Sequence, residues 1–148
     1  MQCEEIMRPP VARLGADTSV ASIALMMRDE RVGLLPICDD AGVVVGVVSD
    51  RDVAVRLCAR CRSPMETRVG EIMSSPAITC RPEDDIQVAE DLMLQHQKSR
   101  VVLTDADGRL RGIISLTDLA QHEQPIRMAQ LLRQISAREY RVLAPHDV

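Results

Sequence analysis

The sequence contains no phenylalanine and no tryptophan, and its one tyrosine is Tyr140. Any core it forms is therefore aliphatic, and the aromatic platforms on which single-stranded nucleic acids stack are missing. Positive charge is not in excess. Eighteen Lys and Arg face 22 Asp and Glu, a formal net charge of −4, which argues against general affinity for nucleic acid. No apolar run approaches the ~18 residues that span a bilayer, and Met1-Gln2-Cys3-Glu4-Glu5 is unlike a signal peptide. These absences predict a cytoplasmic protein without a membrane partner. Its five cysteines then read as reduced thiols rather than a disulfide framework. There is no phosphate-loop lysine motif, and His96, His122 and His146 stand in no evident catalytic grouping, so no enzymatic activity is expected.

What is present is one stretch written twice. Gly46-Val47-Val48-Ser49-Asp50-Arg51-Asp52 returns as Gly112-Ile113-Ile114-Ser115-Leu116-Thr117-Asp118, 66 residues later. The same offset aligns Glu5-Ile6-Met7 with Glu71-Ile72-Met73, Pro10 with Pro76, Met27 with Met93, and Gly42 with Gly108. A constant offset without a gap is an internal duplication. Each copy spans about sixty residues, a marginal size for an independent core, so the halves are expected to pack together.

Each copy reads as strand, helix, strand, strand, helix, an α/β repeat. In copy one, a short extended segment surrounds Val11 to Leu14, and Asp17-Thr18-Ser19 supplies helix N-cap candidates. Val20, Ile23, Ala24 and Met27 then form an apolar helical stripe. Leu34 to Cys38 reads as a strand with Pro36 near an end or edge, and Val43 to Val48 as a strand buried on both faces. Arg51 to Arg60 reads as a second helix. Copy two repeats the order: a short strand at Ala77-Ile78-Thr79, a helix starting at Pro82-Glu83-Asp84 and burying Ile86, Ala89 and Met93, and a hairpin around Asp105 to Gly108. The expected division is a first repeat over 1–61, a linker over 62–70, a second repeat over 71–124, and a C-terminal amphipathic helix and tail over 125–148. In that helix Met128, Leu131, Leu132 and Ile135 share a face, which suits covering an apolar surface of the same fold or of a second subunit, or docking a partner. Tyr140 to Val148 reads as a loose tail.

In each motif a strand ends and a helix begins. Backbone N–H groups at a helix start attract phosphate oxygens, and Ser49 or Ser115 adds a hydroxyl. Asp52 and Asp118, ionised acceptors, suit the neighbouring hydroxyls of a ribose. The same Ser-x-x-Asp pattern is also a helix capping box, and a duplication copies caps as readily as binding sites.

The duplicated unit, with Ile-Met-x-x-Pro at each start and Gly-h-h-Ser-x-x-Asp at each end (h, apolar), resembles a tandem cystathionine-β-synthase (CBS) domain pair of the stand-alone bacterial type. The resemblance covers roughly residues 4 to 121. It implies two βαββα units about a pseudo-two-fold axis, whose clefts take adenosyl ligands: AMP, ADP, ATP, S-adenosylmethionine or NAD. By position, Asp52 and Asp118 would hold ribose, and Ser49 and Ser115 phosphate or ribose. Gly33, Leu34, Leu35 and Pro36 in one copy, and Lys98, Ser99, Arg100 and Val101 in the other, would wall the base with Val11, Ala12, Ile78 and Thr79. It also implies dimerisation and an output that is allosteric, exerted on a regulated partner protein.

The copies differ. Arg51 offers a forked donor where Thr117 offers a hydroxyl, and Lys98 and Arg100 stand where copy one has Val32 and Leu34. Those cations serve either a phosphate or a solvated face. Cys58-Ala59-Arg60-Cys61 is a C-x-x-C without a second pair, leaving Cys58 and Cys61 as weak metal or redox candidates; no metal is expected. Cys3, Cys38 and Cys80 read as buried small hydrophobes, and Met26, Met27, Met65, Met73, Met93 and Met128 as core filler. Two other functions remain open: a docking module without ligand, in which the motifs are only caps, and a thiol or metal switch.

Overall fold

A computed structural model describes residues 1–142, with side chains described as far as residue 137. Copy one contributes helix α1 (Val20–Glu30), strands β1 (Leu34–Cys38) and β2 (Val44–Ser49), and helix α2 (Asp50–Asp52). Copy two contributes β3 (Thr79–Cys80), α3 (Ile86–His96), β4 (Arg100–Thr104), β5 (Leu110–Ser115) and α4 (Leu116–Leu119), and α5 (Pro125–Val142) follows. Local chemistry sets the two long helices at matching places. Ser19 accepts from the Ser22 N–H at the start of α1, and Asp85 from the Gln87 N–H at the start of α3. Both helices stop where a residue turns left-handed, Arg31 and Gln97.

β1 and β2 form an antiparallel hairpin, with Leu34 opposite Ser49 and Pro36 opposite Val47. β3 pairs in parallel with β4, which neighbours β5. The short strand expected at 77–79 lies at 79–80, and the helix expected to start at 82–84 begins at Ile86, where Asp85 supplies the cap. Of the two placements expected for Pro36, an end or an edge, the edge is the one found: it lies mid-strand, but β1 is an edge of the two-stranded sheet. It is tolerated because the side of β1 that pairs with the preceding segment makes its bridge farther along, between Leu14 and Ile37. The expectation that Val43 to Val48 is buried on both faces fails: within β2 only Gly46 and Val48 are buried. The helix expected over 51–60 is α2 continued by a π-helical turn, Val53–Leu57, and a 3₁₀ turn, Cys58–Arg60.

The spatial units interleave the sequence. One consists of residues 1–8, 78–103 and 112 onward, the other of 9–77 and 104–111. This differs from the contiguous division at 61, 70 and 124, because each unit is completed by the chain that precedes the other copy. In the first-named unit, Cys3 N–H donates to Asp84 O at 2.8 Å, and Arg8 and Ile113 exchange backbone hydrogen bonds of 2.9 and 3.0 Å. In the other, Val69 N–H donates to Thr18 O at 2.8 Å, and Ser74 and Val47 exchange bonds of 2.8 and 2.9 Å. All four partners keep the 66-residue offset, so the duplication extends to the crossing segments. Glycine makes the crossing possible. A Cβ on Gly112 would lie 2.8 Å from Arg8 O, and one on Gly46 2.7 Å from Ser74 O.

Each unit has an aliphatic core. Val20, Ile23, Met27, Leu35, Ile37 and Val48 centre one, and Ile86, Met93, Val101, Leu103, Ile114 and Leu119 the other. Cys3, Cys38 and Cys80 are buried as expected. Ala24, assigned to the stripe of α1, is instead exposed, and so is Met65, at 70%. Met128, Leu131 and Ile135 of α5 join the core around α3, so the helix covers its own fold. Leu132 does not share that face and is exposed. Arg127 Nε donates to Glu90 Oε2 at 2.8 Å, while Glu90 Oε1 is buried without a partner among the described residues. Burial, only partly offset by Arg127, raises the Glu90 carboxyl above its ordinary value. The tail expected from Tyr140 is helical to Val142; the rest, His146 included, lies outside the described residues. Among the described residues no helix is long and apolar enough to cross a membrane.

The orientation of α5 is testable by denaturation. Leu131→Ala should destabilise by roughly 2–5 kcal/mol, the range for a truncated core leucine. Leu132→Ala should change stability by about 0.5 kcal/mol or less.

Candidate functional site

Each unit carries one copy of the motif, at the end of a strand and the first turn of a short helix. Both copies form reciprocal caps. Ser49 Oγ accepts from the Asp52 N–H at 3.1 Å, while Asp52 Oδ2 accepts from the Ser49 N–H at 2.9 Å and hydroxyl at 3.0 Å. Ser115 Oγ accepts from the Asp118 N–H at 3.3 Å, and Asp118 Oδ2 accepts from the Ser115 N–H at 2.9 Å and hydroxyl at 2.5 Å. The capping role weighed from the sequence is therefore realised twice. It uses one carboxylate oxygen of each Asp, and the other faces away from the cap.

The second oxygens differ. Asp52 Oδ1 has Arg56 Nε at 3.6 Å, a loose ion pair, and Asp52 is 13% exposed. Asp118 Oδ1 accepts from Arg8 Nε at 2.5 Å; Asp118 is 7% exposed and Arg8 69%. Burial opposes charge on Asp118, but hydrogen bonds from the Ser115 hydroxyl and N–H, together with Arg8, outweigh it and hold its carboxyl below the ordinary value. Neither Arg8 nor Arg56 stood out in the sequence. Their signal is contrast under the 66-residue offset, which sets Arg8 against Ser74.

The helix-start N–H groups, expected to be open to phosphate, are mostly engaged. Asp50 N–H donates to Gly33 O at 3.1 Å, and Arg51 N–H to Asp50 Oδ1 at 2.8 Å. In the second motif Leu116 N–H donates to Ser99 O at 3.0 Å. These bonds also place the wall segments. Gly33 and Leu34 lie against the first motif and Ser99 against the second; Lys98 and Arg100, flanking Ser99, are exposed. Leu35, Pro36 and Val101 are buried. Val11 is exposed and Ala12 half-buried, on the segment that reaches β1 at Leu14. Ile78 O accepts from the Val102 N–H at 3.1 Å, and Thr79 pairs with Val102. Arg51 and Thr117 are exposed beside their motifs. The candidates thus gather as two sets: 11, 12, 33–36, 49, 51 and 52 in one unit, and 78, 79, 98–101, 115, 117 and 118 in the other.

Cys58 and Cys61 are exposed at the end of the π/3₁₀ segment. Among the described residues no group of three or more His, Cys, Asp or Glu is placed to hold a metal ion.

Comparison with known proteins adds lineage to this geometry. A family model described as CBS domain matches residues 3–58 and 69–124. The chain is 32% identical over 120 residues to the CBS domain-containing protein YhcV of Bacillus subtilis, covering 81% of this chain and 84% of that one. It is 28% identical over 131 residues to hypoxic response protein 1 of Mycobacterium tuberculosis, covering 88% and 91%. A crystal structure of Hypoxic Response Protein I, described with two coordinated zinc ions, matches with a TM-score of 0.76 over 84% of this chain and all of that one. The CBS domain protein PAE2072 of Pyrobaculum aerophilum, complexed with AMP, matches with a TM-score of 0.73 and 30% identity, covering 89% and 98%.

Two outcomes follow from the site's geometry. Gly46→Ala and Gly112→Ala should each destabilise by about 1–3 kcal/mol, because the new methyl meets backbone, whereas Gly15→Ala, whose methyl would meet only Cys38 O at an ordinary 3.9 Å, should have little effect. Urea denaturation separates the three. The folded state holds the Asp118 proton less tightly than the unfolded chain does. Its contribution to stability is therefore present above the ordinary value of 3.8 and lost as pH falls through the depressed value. Asp118→Asn should remove that acid-side loss in denaturation curves recorded across pH.

Proposed function

Because the chain belongs to the family of CBS domain proteins, we propose that it is a regulatory module that binds an adenosyl compound and acts allosterically on another protein. The observation that carries the proposal is the outward oxygen of Asp52. The capping box holds this carboxylate in place through Oδ2, while Oδ1 has only a loose contact with Arg56. A ribose presents two neighbouring hydroxyl donors, and a fixed, ionised acceptor suits them. Gly33 and Leu34 lie against the motif and offer one wall for the base, and exposed Arg51 offers a forked donor to a phosphate. The resemblance to a protein complexed with AMP, at 30% identity, supports an adenosyl ligand.

In this reading the chain performs no catalysis. Ligand stabilises one arrangement of the module, a partner protein reads that arrangement, and the affinities of ligand and partner are reciprocally coupled. A second reading also has an observation behind it. The two capping boxes fully account for Ser-x-x-Asp as structure, which suits a docking module without ligand.

Thermal unfolding with AMP, ADP, ATP, S-adenosylmethionine, NAD and, as control, GTP decides between them. A ligand at 100 times its dissociation constant adds about 2.7 kcal/mol, a shift of roughly 5–10 °C at this chain length. A shift selective for adenosyl compounds and absent from the double variant Asp52→Asn, Asp118→Asn is the expected result. No shift with any compound would leave the docking module.

A further inference from the structure

The two motifs are copies, yet their electrostatic surroundings diverge at one aligned position. Arg8 and Ser74 occupy the same place in their units, each exchanging two backbone hydrogen bonds with the strand that leads into the motif. Among the described residues Ser74 makes no bond to Asp52, whose side chain meets Ser49 and Arg56. Arg8 reaches Asp118 and leaves its Nη groups without a hydrogen bond among the described residues, on a side chain 69% exposed. The cation that approaches Asp52 is committed elsewhere: Arg56 Nη1 donates to Ile72 O and Met73 O, each at 3.1 Å, and the exposed Arg51 of the same motif makes no ion pair with Asp52 among the described residues. Two further differences run the same way, and one, Arg51 in the first motif against Thr117 in the second, runs the other. Lys98 and Arg100 flank Ser99, which bonds to the second motif, where the first copy has Val32 and Leu34. Leu116 stands in the second motif where the first has the acidic Asp50.

We infer that Arg8 is a specificity-determining residue that makes the second motif select phosphorylated adenosyl compounds over uncharged ones, an inference that rests on the adenosyl-binding reading above. Ribose hydroxyls that donate to Asp118 Oδ1 compete with Arg8 Nε for that oxygen. An uncharged nucleoside weakens the ion pair and supplies nothing in return. A nucleotide brings its own anion, and a guanidinium fork that has given up part of its hold on a carboxylate can donate through two N–H groups to phosphate oxygens. The ion pair thus penalises uncharged ligands and is replaced, not merely lost, when a phosphate arrives.

The test is calorimetric titration of AMP and of adenosine into the full chain carrying Asp52→Asn, so that binding reports the second motif, with and without Arg8→Ser. Serine occupies the aligned position 74, and the backbone bonds of residue 8 do not involve its side chain, so the variant should fold. The expected result is tighter binding of AMP than of adenosine, with Arg8→Ser weakening AMP by roughly tenfold or more, as for loss of a charged hydrogen bond. Adenosine affinity should hold or rise, and Arg8→Lys should restore part of the preference. An AMP-to-adenosine ratio unchanged by Arg8→Ser would overturn the inference and leave adenosyl binding intact. So would loss of all AMP binding on Asp52→Asn alone. If the unsubstituted protein binds neither compound, the adenosyl reading itself falls, and the role of Arg8 with it.

Discussion

Each unit depends on a backbone crossing a strand at a point where no side chain is allowed. Arg8 lies over Gly112 and Ser74 over Gly46, at separations that a single methyl group would violate. The reciprocal hydrogen bonds at each crossing anchor a segment from far away in sequence. Behind that anchor sit Cys3 and Ile6 in one core and Val69 and Ile72 in the other. A unit of this small size has little apolar surface to spare, so the few residues delivered by the crossing segment are a material part of its core. The glycine of the motif is thus tied to packing before it is tied to any ligand.

The same crossing shapes the site. In one unit it delivers a serine and leaves the Asp52 carboxylate loosely paired; in the other it delivers an arginine that holds Asp118. Duplication supplied two equal scaffolds, and a residue outside the repeated motif made them chemically unequal. Both aspartates are already positioned by caps, so a ligand would meet an acceptor whose geometry is fixed in advance, which lowers the ordering cost of binding.

Much of this was legible in the sequence because it rests on short-range chemistry. The Ser19 cap of α1, the hairpin turns, the stripe through Val20, Ile23 and Met27, and the repeat itself follow from spacing alone. What was not legible depends on partners distant in sequence. Ala24 fits a helical stripe but turns to solvent, and Leu132 shares the apolar character of Leu131 without sharing its face. Burial of β2 was overestimated because a run of valines looks the same whether one face or two are covered. Arg8 gives no local signal at all: its meaning lies in Asp118, 110 positions away.

The interleaving of the two units bears on how the chain emerges from the ribosome. Residues 1–8 are made well before their companions, which begin at residue 78. The unit built mostly from the first copy waits in turn for residues 104–111. Neither can finish while the nascent chain is short, and the unpaired N-terminal segment must stay available through most of synthesis. A gene encoding either repeat alone would therefore specify a unit that lacks the segment completing it.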